Sequence, residues 1–289
     1  MSSRVAVVTD STAYLPAGVA EKFEVTVVPL HVVLGLRTGT EGEEVTPADV
    51  AAALQERRIA VSTSRPVPPE FAAAYRATGA RQVVSVHLSA ALSGTGEAAR
   101  LAAAEVADEG IEVRVVDSRT IGMGLGFSVI AAAECAASGG DLDAVSGSAE
   151  RVAAATAVVF YVDTLEHLRR GGRIGAASAL VGTALAVKPL LHMRDGTIAL
   201  KEKVRTATKA LARLEDLAVA FAGNRPVDVA VHHLAAADRA ELLADRLRQR
   251  IQGLQSLYVS EVGAVVGAHV GPGLLAVVVS ARAAEAGVT

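Results

Sequence analysis

Tryptophan is absent from this chain of 289 residues, and aromatic side chains make up 3% of it, four tyrosines and five phenylalanines. A platform for stacking nucleic-acid bases needs more rings than that. Charge of one sign is lacking too: 28 Lys and Arg stand against 31 Asp and Glu, a net of −3, so no basic footprint for a phosphate backbone is present. The single cysteine, Cys135, excludes an internal disulfide framework and a cysteine-rich metal site. Long apolar runs are missing as well, since the longest, 176–187, stops at Lys188, short of the roughly 20 residues that span a bilayer. Met1-Ser2-Ser3-Arg4 leads straight into Val5-Ala6-Val7-Val8 with no apolar signal segment between them. The expectation is a soluble, cytoplasmic protein with no more than transient membrane contact. No G-x-x-x-x-G-K-[ST] phosphate loop, H-E-x-x-H zinc helix or G-x-S-x-G nucleophile elbow occurs.

What is plentiful is small and aliphatic. Hydrophobic residues reach 51%, so the interior is built from Ala, Val, Leu and Gly. At roughly 100–200 residues per domain, the length predicts two domains. Strand-like runs at Val5–Thr9, Gln82–Leu88 and Ile111–Val116 alternate with helical stretches, and such alternation predicts βαβ units with a parallel sheet. A hairpin-like excursion falls at about 25–45, where β-branched residues give way to Gly35, Gly39 and Gly42. The prolines at 66, 68 and 69 predict an ordered loop across 61–69, and a helix from Glu70. Beyond a boundary placed at 156/157, an apolar helix is expected over 177–187. Two strands around Arg194-Asp195-Gly196 form a predicted hairpin, and a glycine-rich segment precedes a last strand. The fold class read from this is α/β in two domains: an N-terminal parallel-sheet α/β domain (1–156) and a C-terminal α+β domain (157–289).

Three chain reversals offer donors for a ligand: Ser62-Thr63-Ser64 before the proline-rich turn, Leu92-Ser93-Gly94-Thr95-Gly96 at a helix start, and His269-Val270-Gly271-Pro272-Gly273. Free N–H groups and the positive end of the macrodipole favour an anion at a helix N-terminus. Ser93 also reads as a simple N-cap, Thr63 as a turn-former and His269 as a locally bonded ring. Gly122-x-Gly124-x-Gly126 misses the dinucleotide spacing by one position and reads as close helix packing. His232 and His233, as neighbours in a strand, face opposite sides and do not form a metal pair. No metal site is expected.

Thr9-Asp10-Ser11, Thr63-Ser64-x-Pro66, Leu92-Ser93-Gly94-Thr95, Val116-Asp117-Ser118, Gly172-Arg173-Ile174, Lys188-Pro189-Leu190-Leu191, Arg205-Thr206 and His269-x-Gly271-Pro272-Gly273 occur in the order seen in DegV-family proteins. From about residue 5 to 280 the sequence resembles that family. The resemblance implies a tunnel between the domains that binds a long-chain fatty acid such as palmitate or oleate. It also implies that the protein presents the carboxylate to a separate ATP-dependent fatty acid kinase subunit, without a cofactor or catalytic residues of its own. Thr63, Ser93 and His269 would then lie at the head group, and Arg173 and Arg205 at the pocket mouth or the kinase-docking surface. Arg65 and Val67 depart from the Gln and Ser often found around the first-loop proline. The competing reading is an acyl hydrolase or transferase, with Ser93 as nucleophile, His269 as base, and Asp10 or Asp117 as orienter.

Overall fold

The computed structural model describes residues 4–56, 59–175, 177 and 188–282. Three sheets organise them. Strands β1 (Val5–Asp10), β2 (Thr26–Val28), β6 (Gln82–His87) and β7 (Glu112–Asp117) form an all-parallel sheet in the order β2-β1-β6-β7. Their near-continuous Val runs suit strands covered on both faces. One face packs on α5 (Met123–Ala137) and α6 (Leu142–Ala154), the other on α3 (Pro68–Ala77) and α4 (Thr95–Ala107). The second sheet is mixed, in the order β10-β9-β8-β13-β11-β12. It comprises β8 (Thr156–Tyr161), β9 (Lys188–Arg194), β10 (Thr197–Val204), β11 (Val227–His233), β12 (Leu254–Glu261) and β13 (Leu275–Ala281). Side chains alternate along each strand. In β8 this sends Val159 and Tyr161 toward α8 (Ala207–Ala222) and α9 (Ala237–Arg250), and Val158 and Phe160 toward the N-terminal half.

The third sheet differs from the sequence expectation. β3 (His31–Leu34) and β4 (Arg37–Thr40) make the predicted hairpin, but Val61–Ser64, expected as loop, is strand β5 and pairs antiparallel with β3. The prolines begin only at 66, so nothing interrupts the ladder. Helix α3 opens on Pro68 and not on Glu70, because the first helical positions have no use for an N–H. The glycine-rich segment contains a helix, α10 (Ala264–Val270), which packs with α2 (Pro47–Glu56) against the small sheet. A short helix, α7 (Glu166–Arg170), precedes Arg173. The apolar helix expected over 177–187 falls, apart from Ala177, outside the described residues. Among the described residues no helix is long and apolar enough to cross a membrane.

Candidate functional site

A cleft of about 910 Å³ lies where the two large sheets and the small sheet meet. The carboxyl edge of the parallel sheet contributes Leu88 and Ile121, and the mixed sheet contributes Val158, Phe160, Met193 and Ala276. Helix α10 adds Val265, Val266 and Val270. Ligands of open α/β sheets commonly sit beyond the carboxyl ends of the strands. Here residues of a second sheet face that edge and give the cleft a largely apolar lining.

Most of the polar groups gather toward one end. Thr63, on the last turn of strand before the proline loop, is hydrogen-bonded through Oγ1 to Nε2 of His269 at 2.9 Å. His269 closes α10, and its buried Nδ1 has no hydrogen-bond partner. Burial, followed by the nearby charge of Arg173, lowers its pKa to about 4, so the ring is neutral at pH 7. Ser93 Oγ is hydrogen-bonded to Thr95 Oγ1 at 2.8 Å and accepts from Thr95 N at 3.3 Å, just ahead of α4. Arg173 is half-buried and anchored, donating from Nε to Leu92 O at 3.0 Å and from a terminal nitrogen to Gly171 O at 2.6 Å. Thr63, Ser93, His269 and Arg173 therefore line one cleft, and so does Arg65. Arg205 does not. It is exposed just past β10, seven residues from the lining residue Ile198, which is roughly 20 Å at about 3.3 Å per residue.

Several wall residues carried no sequence signal of their own. His232 lines the cleft while His233 faces the other side of the sheet. His232 Nε2 accepts from Met123 N at 2.9 Å, so the proton sits on Nδ1, which donates to Ser260 Oγ at 3.0 Å. Burial lowers this pKa to about 4. Tyr14, in the left-handed region at φ 46°, meets His232 edge-on and donates to Glu41 Oε1 at 3.3 Å. Glu41 also accepts from Val265 N at 2.8 Å and from the Ser11 hydroxyl. One buried carboxyl thus joins the first strand's exit, the small sheet and α10, and burial raises its pKa. The three glycines 122, 124 and 126 act as packing positions: a Cβ on them would meet His232, Thr120 and the Ala13 carbonyl respectively.

The triad required for Ser93 chemistry is not assembled. Ser93 is hydrogen-bonded to Thr95 and His269 to Thr63. Asp10, read as a possible orienter, is committed elsewhere: its Oδ2 pairs with His87 Nδ1 at 3.0 Å and accepts from Leu88 N at 3.0 Å. His87 continues to Ser85 Oγ at 2.6 Å, and Tyr75 donates to that oxygen at 3.0 Å, all fully buried. Asp117 caps a turn, accepting from Ala90 N and Arg119 N. Among the described residues no group of three or more His, Cys, Asp or Glu is placed to hold a metal ion.

Among the described residues, the α/β fold thus carries a largely aliphatic cleft with two hydroxyls, a neutral imidazole and an anchored guanidinium in its lining, a class of site suited to an apolar ligand with a polar head. The chain belongs to the DegV family: the family model described as "Uncharacterised protein, DegV family" matches residues 4–282. A DegV domain-containing protein of Streptomyces coelicolor is 60% identical over 285 residues, covering 98% of this chain and all of that one. Among solved structures, a DegV family protein from Thermus thermophilus described for its fatty acid binding superimposes with a TM-score of 0.90 at 34% identity, over 96% of this chain and 100% of that one. DegV of Bacillus subtilis, described as a fatty acid binding protein, gives 0.89 at 33% identity, over 97% and 100%.

Proposed function

We propose that this protein binds a long-chain fatty acid in the cleft, carboxylate toward Thr63 and Ser93, and presents it to a separate kinase for conversion to the acyl phosphate. The observation that carries this reading is the segregation of the cleft, aliphatic along its length and with Thr63, Ser93, His269 and Arg173 at its head. A tail of about fifteen methylenes gains roughly 12 kcal/mol gross at ~0.8 kcal/mol each, less the cost of ordering it. The wall supplies affinity and the hydroxyls set direction, because a carboxylate buried without donors is costly. The unassembled triad supports a presenting role in place of acyl hydrolysis, and the fatty-acid-binding relatives support the ligand class. Arg173, at the head, suits the phosphate formed there, while Arg205, exposed and outside the cleft, suits contact with the kinase.

Organic extraction of purified protein followed by mass spectrometry should release a long-chain fatty acid, and delipidated protein should take up palmitate or oleate. Neither occurring would overturn the reading. Thr63→Ala and Ser93→Ala should each weaken palmitate retention by about tenfold, the scale of one hydrogen bond to a charged group. Arg205→Ala should instead slow acyl phosphate formation with a kinase while palmitate binding holds. Turnover of an acyl ester that is lost in Ser93→Ala would favour the hydrolase.

A further inference from the structure

We infer that Arg65 is a movable second cation at the mouth of the cleft, which favours a phosphorylated head group over a free carboxylate. The inference rests on the fatty-acid reading above and adds to it a residue that tells product from substrate. Along the chain, Thr63 is half-buried, whereas Ser64 and Arg65 are exposed, so Arg65 lies on the solvent side of the head-group hydroxyl. A group added to the carboxylate extends in that direction.

The side chain crosses from the end of β5 to the loop before α4. One terminal guanidinium nitrogen donates to Gly94 O at 3.2 Å and to Glu97 Oε2 at 3.0 Å. Gly94 has φ −77° and ψ 13°, a conformation open to any residue, so no backbone demand calls for glycine there. A Cβ at Gly94 would instead collide with the Arg65 guanidinium. The arginine in its present position bridges the segment after β5, which carries Thr63, and the loop that carries Ser93.

The tether is weak. The Arg65 side chain is 46% exposed and that of Glu97 is 68% exposed, and exposed ion pairs of this kind contribute little. Arg173, by contrast, is fixed by two backbone carbonyls, Gly171 O and Leu92 O, the second of them in the same loop as Gly94. The mouth therefore holds one fixed and one releasable guanidinium. A carboxylate carries one charge, which the hydroxyls and Arg173 serve. A phosphoryl head carries up to two charges and more acceptor oxygens, and the guanidinium fork matches it in a way that an amide does not. Exchanging Glu97 for such a ligand moves Arg65 from a solvated carboxylate to a more highly charged partner.

Delipidated wild type, Arg65→Gln and Glu97→Gln should be titrated with palmitate and with hexadecyl phosphate, a stable stand-in for the phosphorylated head, at pH 8 and low salt. Arg65→Gln should weaken hexadecyl phosphate about tenfold more than it weakens palmitate. Glu97→Gln, which frees the guanidinium, should tighten hexadecyl phosphate several-fold relative to palmitate. Equal changes for both ligands, or none, in Arg65→Gln would overturn the role of Arg65 while leaving fatty-acid binding standing. Failure of wild type to bind palmitate at all would remove the underlying reading, and the inference with it.

Discussion

Two imidazoles in the cleft are kept neutral by burial, and the hydrogen bonds of His232 require that form. His232 must present a lone pair at Nε2 to receive the Met123 N–H, and protonation would set one N–H against another. Both rings titrate near 6.5 when unfolded and near 4 when folded. Between those values the unfolded chain binds protons that the folded chain refuses, so this contribution to stability is complete above pH 6.5 and declines as the pH falls toward 4. A lowering of about 2.5 units corresponds to about 3 kcal/mol per ring at most. Urea midpoints measured at pH 7.5 and 4.5 should therefore fall with acid, and the fall should be smaller in His232→Gln than in wild type. An equal fall in both would show that other groups govern the acid limb. His232 was legible only as one of two adjacent histidines. That it, and not His233, faces the cleft follows from the register of β11, which a single strand does not reveal.

At the scale of elements, α10 brings His269 to Thr63, and its first turn is tied to one side chain from a distant stretch of sequence. Glu41 receives the Val265 N–H, an orphan donor of the helix start, together with the Tyr14 and Ser11 hydroxyls. Glu41→Ala should cost about 2–3 kcal/mol by chemical denaturation, because buried donors lose their acceptor, and should weaken palmitate retention as His269 loses its seat. Its pKa, raised by burial, means that the folded chain holds a proton here more readily than the unfolded chain does, so this carboxyl favours folding most at acid pH and loses that advantage as the pH rises. Glu41→Gln keeps an acceptor for Val265 and should stay within about 1 kcal/mol of wild type at pH 7. A loss in Glu41→Gln as large as in Glu41→Ala would mean that the charge itself is required. The helix was hidden in the sequence because its seven residues are apolar apart from His269 and bracketed by Gly263 and Gly271, so no 3.6-residue pattern shows. Strand β5 was hidden by the prolines that follow it, although its sequence of Val, Ser, Thr and Ser alternates as a half-exposed strand does. The βαβ alternation of the first half, in contrast, was plain, since the Val-rich runs of β1 and β6 bury both faces and end at polar turns.

For the molecule as a whole, hydrogen bonds between residues of the N-terminal and C-terminal halves lie in and beside the cleft lining. Thr63 meets His269, Met123 meets His232, Arg173 meets Leu92, and Ser89 donates to Gly196 O at 2.7 Å. A ligand bound among them stabilises both halves together. At a free ligand concentration of about 100 Kd the gain is about 2.7 kcal/mol, and delipidated protein should show a single thermal transition that palmitate raises by several degrees. Two separate transitions, only one of them moved by palmitate, would show that the halves unfold independently. The polar lining residues Thr63, Ser93 and His269 could be singled out from sequence because hydroxyls, glycine and histidine cluster at chain reversals. The apolar wall could not, since Phe160, Met193 and Ala276 come from three strands that read as ordinary core. The absence of tryptophan has a practical consequence here. The chain is optically silent above tyrosine emission, so a single indole placed at Leu92, on the half-buried cleft wall beside the anchored Arg173, would give the protein one fluorophore. Its colour and quenching would report, in real time, whether an added acyl chain enters and leaves the cleft.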